Sequence, residues 1–106
     1  MAQFVFAYHG GNPPSSPEEG QKMMNEWHAW MQGLGEAMVN PGAAVGKSKT
    51  AAPDGIHDNG GSNPLMGYSV VEAADIDTAL AMAAACPHIS LVGGSIEVAP
   101  VMDMEM

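Results

Sequence analysis

A chain of 106 residues with 46% hydrophobic content has the size of one domain with one core, so two domains are not expected. Its formal net charge is −9, with only three basic residues, all Lys. Nucleic acid, anionic membranes and phosphorylated substrates are therefore poor partners for its surface. Cys86 is the single cysteine, which excludes an intrachain disulfide and favours a reducing compartment. The amino-terminal residues lack the pattern of a signal peptide, so we expect a cytoplasmic protein.

The first elements are a strand and a long helix. Alternating residues from Gln3 to Tyr8 predict a strand with two fairly apolar faces, and a loop rich in Gly and Pro follows it. A helix is predicted to begin at Pro17, because Ser16 is a good N-cap and Glu19 completes a capping box. Apolar residues at three-to-four spacing extend this predicted helix to about Val39.

The middle of the chain has weaker patterns. The sequence Asn40-Pro41-Gly42 is expected to end the helix, and a short strand is predicted from Ala43 to Ala52. Residues from Ala52 to Pro64 are rich in Gly, Pro, Asp and Asn, so a loop without regular structure is predicted there.

The carboxy-terminal part has the clearest pattern. A strand is predicted over Leu65 to Ala73, a helix over Asp75 to Ala85, a strand over Ile96 to Met102, and a loose acidic tail over residues 102–106. The resulting order is β-α-β-β-α-β. This order predicts a single α+β domain over residues 1–106, with a ferredoxin-like antiparallel sheet and two helices on one of its faces.

Several short motifs in this chain occur together in a known family. They are the strand from Gly67 to Ala73, Cys86-Pro87-His88, the run Gly93-Gly94-Ser95-Ile96-Glu97-Val98 and the dipeptide Asp54-Gly55. With these motifs the chain resembles the YCII-related family, in particular its branch named for an Asp-Gly-Pro-Phe motif, although Ile56-His57 stand where Pro-Phe is usual. The resemblance implies a ferredoxin-like fold that pairs as a dimeric α+β barrel, and thus a homodimer with a pocket between sheet and helices.

The resemblance also implies acid–base chemistry by a His and an Asp. His28 is the candidate on the first helix, where a solvated residue is the alternative. Asp54 and His57 are three residues apart, close enough for the carboxylate to accept a hydrogen bond from the ring, although Asp54-Gly55 is also a common turn. His9, at the end of the first strand, could project into the same pocket or could be a polar cap on its loop.

Other chemistry has little support in the sequence. Neither a nucleophile elbow nor a phosphate-binding loop occurs, so no cofactor is expected. His9, His57, His88 and Asp54 have the side chains of metal ligands but not their spacing, and no metal is expected. Glu72 and Glu97 are expected on sheet faces where they could approach each other across neighbouring strands or across a dimer axis.

Two functions are consistent with these observations. In the first, a pocket rich in Trp, Met and Tyr binds a small apolar or aromatic molecule, and any reaction is cofactor-independent acid–base chemistry of the lyase or isomerase kind. In the second, the chain is a non-catalytic dimeric binding or regulatory module.

Overall fold

A computed structural model of the chain describes residues 2–12, 14–58, 61 and 63–102. Residues 103–106 of the predicted acidic tail lie outside the described residues. Met102, the first residue of that predicted tail, is exposed. A 3₁₀ helix at Gly35–Ala37 follows the first α-helix. The strands and α-helices, in chain order, are β1 (Ala2–His9), α1 (Pro17–Leu34), β2 (Met38–Ala44), β3 (Thr50–Ala52), β4 (Gly55–His57), β5 (Leu65–Ala73), α2 (Ile76–Ala84), α3 (Pro87–Ser90) and β6 (Ser95–Pro100).

Four strands form one antiparallel sheet in the order β2-β5-β1-β6. The two neighbours of β1 are thus the last two strands of this sheet in the sequence. Helices pack against the sheet, which confirms the predicted α+β class and is consistent with a ferredoxin-like fold. β3 and β4 form a separate hairpin.

The core lies between the helices and one face of the sheet. Phe4, Phe6 and Tyr8 alternate along β1 and are buried on this face, as are residues of β5 at the same pleat positions. Trp30 of α1 stacks on Phe6 with ring centroids 6.3 Å apart, and its indole N–H donates to the carbonyl of Met82 at 3.0 Å. That hydrogen bond joins the long helix to α2 above the sheet.

The opposite face of the sheet is less covered. The residues between the buried ones stay exposed or half-buried, and Tyr68 retains 41% of its accessible surface. We call this surface the open face, and it is formed by Val5, Ala7, Tyr68, Val70 and Ala99. Val5 pairs with both Val70 and Ala99, so an apolar row crosses three strands there.

The predicted end of the first helix at Val39 is wrong. The helix stops at Leu34 because Gly35 adopts a φ of 56° as its C-cap. Residues from Met38 onward then pair with β5, so Asn40-Pro41-Gly42 lies inside a strand and does not follow a helix. A proline is tolerated there because β2 is an edge strand whose register is irregular around it.

The predictions for residues 43–64 are also partly wrong. β2 ends at Ala44, and the Lys-containing segment after it has no regular structure until Thr50. The region expected to be a loop contains β4, which pairs with β3 across a turn at Pro53-Asp54. Gly55 follows this turn with a φ of 129°, which glycine adopts readily.

The carboxy-terminal predictions agree better with the structure. β5 has the predicted bounds, and Asp75 caps α2 by accepting a hydrogen bond from the backbone N–H of Thr78 at 2.8 Å. The last strand lies at Ser95–Pro100, close to its predicted place, whereas α3 was not predicted. Within the described part of the chain, the helices are too short or too polar to span a bilayer.

Candidate functional site

A cleft of about 550 Å³ lies between α1 and the sheet. Met23, Met24, Trp27 and Met31 project into it from α1, since three-to-four spacing puts them along one side of the helix. The sheet and the segment around α3 complete its walls, with Tyr8, Gly67, Ser69, His88 and Val92. The cleft is therefore mainly aromatic and aliphatic, with a few polar side chains.

One chain of hydrogen bonds borders the cleft. The Tyr8 hydroxyl donates to Ser69 Oγ at 2.8 Å, and Ser69 Oγ donates to the Pro41 carbonyl at 3.0 Å. Burial raises the pKa of Tyr8 to about 12, although the hydrogen bond with Ser69 opposes the shift. Tyr8 is thus a neutral phenol whose proton is already donated and whose oxygen can still accept.

His88 forms a second polar group at the cleft. Its Nε2 lies 2.9 Å from the carbonyl oxygen of His9, and its ring packs edge-on to Tyr8 with centroids 5.5 Å apart. The position depends on Gly94, because a Cβ there would overlap His88 Nε2. Only 7% of His88 is exposed, so packing and one backbone hydrogen bond fix its ring.

Asp54 and His57 form the contact expected from their spacing, but they do so away from the cleft. His57 Nε2 lies 2.9 Å from Asp54 Oδ1 on the β3–β4 hairpin. Their side chains are 73% and 49% exposed, and neither residue lines the cleft. Their catalytic role stays a prediction.

The two other predicted site residues are separated from this pair. His28 lies on α1 and lines the cleft. The His9 ring places Nδ1 3.1 Å from the Asn63 carbonyl and Nε2 3.1 Å from Glu97 Oε1. Both partners are acceptors, and which ring nitrogen donates depends on the tautomer of His9. His9 does not line the cleft, and its backbone carbonyl accepts the hydrogen bond from the cleft residue His88.

The two glutamates of the sheet do not approach each other within one chain. Glu97 pairs with Ala7, whereas Glu72 pairs with Gln3, four residues further along β1. Both carboxylates lie at the edges of the open face, because they share its pleat positions. The approach across neighbouring strands is therefore wrong, and only an approach across a dimer axis remains as a prediction.

Two further sequence predictions concern metals and the thiol. Among residues 2–12, 14–58, 61 and 63–102, no group of three or more His, Cys, Asp or Glu could hold a metal ion. Cys86 is fully buried, and burial raises the pKa of its thiol to about 11. Cys86 therefore packs as a small buried hydrophobe.

The sequence analysis did not assign the polar residues of the cleft. Tyr8 did carry a signal, because it continues the buried side of the alternation that begins at Phe4 and ends beside a Gly-rich loop. Ser69 carried a weaker one as a polar residue at a buried pleat position. His88 stood out only as part of the Cys86-Pro87-His88 motif and as a residue with a metal-ligand side chain; its place at the cleft had no local signal, since its hydrogen bond joins residues 79 positions apart.

One comparison with known proteins identifies a family. A family model described as the YCII-related domain matches residues 4–105, which is nearly the whole chain. A search among curated proteins finds no match.

Proposed function

The chain belongs to the YCII-related family, and from that premise we propose that it binds a small apolar or aromatic molecule in the cleft between α1 and the sheet. The observation that supports this function is the cleft itself, which has about 550 Å³ of space and walls of aromatic and methionine side chains. Small-molecule sites typically combine such a volume with a few polar groups that orient the ligand.

The chemistry of the walls favours a flat, uncharged ligand. The rings of Tyr8 and Trp27 meet edge to face with centroids 5.3 Å apart, which leaves aromatic surface on the walls for a ligand ring. The neighbouring methionines are unbranched and adapt to different shapes. Among the described residues that line the cleft there is no Lys, so an anionic ligand would find no ammonium group there.

A titration with indole, followed by two-dimensional NMR, tests this function. We expect saturable shifts of amides along the cleft in the wild-type protein. The variant Met24→Glu should weaken binding about tenfold or more, because it puts a charge into an apolar site. Met24 is 53% exposed, so this change should leave the fold intact. Leu80→Glu is the matched control, since Leu80 is 46% exposed on α2 and does not line the cleft. Absence of saturable shifts would refute the proposal.

We also propose that the protein is a homodimer in which a second copy covers the open face. The support is the apolar row through Val5, Val70 and Ala99, which crosses three strands on the less covered side of the sheet and which a second copy would bury.

Light scattering after size-exclusion chromatography tests the dimer. The wild-type protein should have the mass of two chains, and Val70→Asp should convert it to monomers because each interface would bury two added charges. Leu80→Asp adds the same charge on α2 and should leave the dimer unchanged. A wild-type monomer, or a Val70→Asp dimer, would contradict this arrangement.

Acid–base turnover is a second candidate function, favoured by the contact of 2.9 Å between Asp54 and His57. A carboxylate that accepts from one ring nitrogen leaves the other free to act as a base. Asp54 and Gly55 match the first two residues of the Asp-Gly-Pro-Phe motif and support assignment to the branch named for it. The buried Cys86 is in keeping with a reducing, cytoplasmic location.

Incubation with small aromatic lactones, followed by proton NMR, tests this second candidate. Conversion that is lost in both His57→Ala and Asp54→Asn would support it. Conversion that survives these changes would exclude the pair as the catalytic group. Binding without any conversion would favour the non-catalytic binding or regulatory module.

A further inference from the structure

We propose that His88 presents an unprotonated Nδ1 to the cleft and that this atom selects ligands carrying an N–H or O–H donor. The inference rests on the proposed binding function and deepens it, because it assigns the polar contact and the chemical class of the ligand. That class is a neutral aromatic molecule with a hydrogen-bond donor.

The tautomer of His88 follows from its partner. A backbone carbonyl only accepts hydrogen bonds, so the contact of 2.9 Å from Nε2 to the His9 oxygen requires a proton on Nε2. A neutral imidazole carries one ring proton, and Nδ1 is then an acceptor with a free lone pair.

The ring cannot easily turn away from this arrangement. A Cβ at Gly94 would overlap His88 Nε2, and a Cβ at Gly11 would lie 3.4 Å from His88 Cε1. The backbone therefore approaches the ring closely at two places, where side chains would displace it. Tyr8 packs edge-on to the same ring.

Nδ1 has no hydrogen-bond partner among the described residues. His88 lines the cleft, and its side-chain hydrogen bond is the one from Nε2 to the His9 carbonyl. Among the described residues, Ser48 Oγ is the side-chain polar atom that is buried without a hydrogen-bond partner. His88 Nδ1 also has no partner within the described part of the chain, but unlike Ser48 Oγ it is accessible to solvent. A ligand in the cleft can therefore supply the missing donor.

The neighbouring polar group reinforces this selection. The Tyr8 hydroxyl donates its proton to Ser69, so toward the cleft its oxygen can only accept a hydrogen bond. Two acceptors at one end of an apolar cleft recognise a donor and repel a carboxylate. A molecule such as indole, with one N–H on an aromatic body, has the required pattern.

The test compares indole with N-methylindole, which has the same ring system without the donor, by NMR titration of the wild-type protein and His88→Gln. The wild-type protein should bind indole about three- to tenfold more tightly, the range expected for one hydrogen bond. In His88→Gln the amide N–H can still donate to the His9 carbonyl, and the amide oxygen then lies on the side away from the former Nδ1, so no acceptor remains at that position. The variant should therefore bind indole and N-methylindole almost equally tightly, whereas Leu80→Gln should keep the wild-type preference for indole.

The outcomes separate the two proposals. If neither compound binds, the proposed function fails and this inference fails with it. If both bind the wild-type protein equally, the cleft function stands and the role of His88 is refuted. Long-range proton–nitrogen NMR of the wild-type ring gives an independent check that needs no variant. A proton on Nδ1 would overturn the proposal, and a Nδ1 resonance that moves on addition of indole alone would support it.

Discussion

Replacing Tyr8 by Phe should lower the stability of the protein at neutral pH but raise it, relative to the wild type, at high pH. At neutral pH the variant loses the hydrogen bond of 2.8 Å to Ser69 Oγ. Ser69 still donates to the Pro41 carbonyl, so no buried donor is left without a partner. The expected loss in the free energy of unfolding is therefore about 1 kcal/mol.

The alkaline behaviour follows from the pKa of Tyr8, which burial raises from 10.0 to about 12. Because the folded-state pKa lies above the unfolded one, this stabilisation is complete below pH 10 and is lost as the pH rises to about 12. The upper bound of the loss is about 2 to 3 kcal/mol, at about 1.4 kcal/mol per pKa unit. It exceeds the neutral-pH difference, so the order of stability of the two proteins should reverse in this window.

Urea unfolding followed by tryptophan fluorescence, repeated from about pH 8 to about pH 12, measures both effects. Tyr68→Phe is the matched control, because Tyr68 is 41% exposed on the open face and its loss leaves the Tyr8 titration in place. The Cys86 thiol also titrates in this range, and its charge contributes to the raised pKa of Tyr8, so the difference between wild type and Tyr8→Phe includes the repulsion between the two groups. A constant gap between wild type and Tyr8→Phe across the whole pH range would refute the reasoning.

Three further substitutions and one labelling experiment test other parts of the fold. Gly42→Ala should destabilise the protein by about 2 kcal/mol or more, because φ is +69° and the new Cβ would overlap the Tyr68 carbonyl oxygen. Gly33→Ala, inside α1 with no atom within 4 Å, should instead add about 0.5 to 1 kcal/mol, and equal effects of the two changes in urea unfolding would contradict this account. Ser16→Ala should cost about 1 kcal/mol, since it removes the acceptor for the backbone N–H of Glu19, and an unchanged urea midpoint would exclude that cap. Cys86 should react with a thiol reagent at neutral pH only as fast as the protein unfolds, and rapid labelling of the folded protein would show that the thiol is accessible.

The elements predicted well from the sequence are those with local causes. Ser16 and Asp75 each cap a helix through a side chain that accepts from a backbone N–H three residues later. β5 could be predicted with its correct bounds because its buried residues alternate strictly from Gly67 to Ala73. These patterns depend on neighbours in the chain, so the sequence alone contains them.

The errors arose where a distant partner decides the structure. Residues after Gly35 have apolar spacing that suits a helix, yet pairing of Met38 with Val71 makes them an edge strand. The contacts of the candidate site also fall into local ones, which the sequence predicts, and distant ones, which it does not. Asp54 and His57 meet because they are neighbours across a turn, and their spacing showed it. The contacts of Tyr8 with Ser69 and of His88 with His9 span 61 and 79 residues, and only the folded chain brings them together.

The strand order also determines when this protein can fold during synthesis. β1 leaves the ribosome before the other strands of this sheet, yet Phe4 has its partners at Val71 and Pro100. Until β5 and β6 have emerged, β1 has neither neighbour and its aromatic side chains stay uncovered. The sheet is therefore expected to form only after β6 has left the ribosome, and until then β1 would be a natural binding segment for a chaperone at the ribosomal exit.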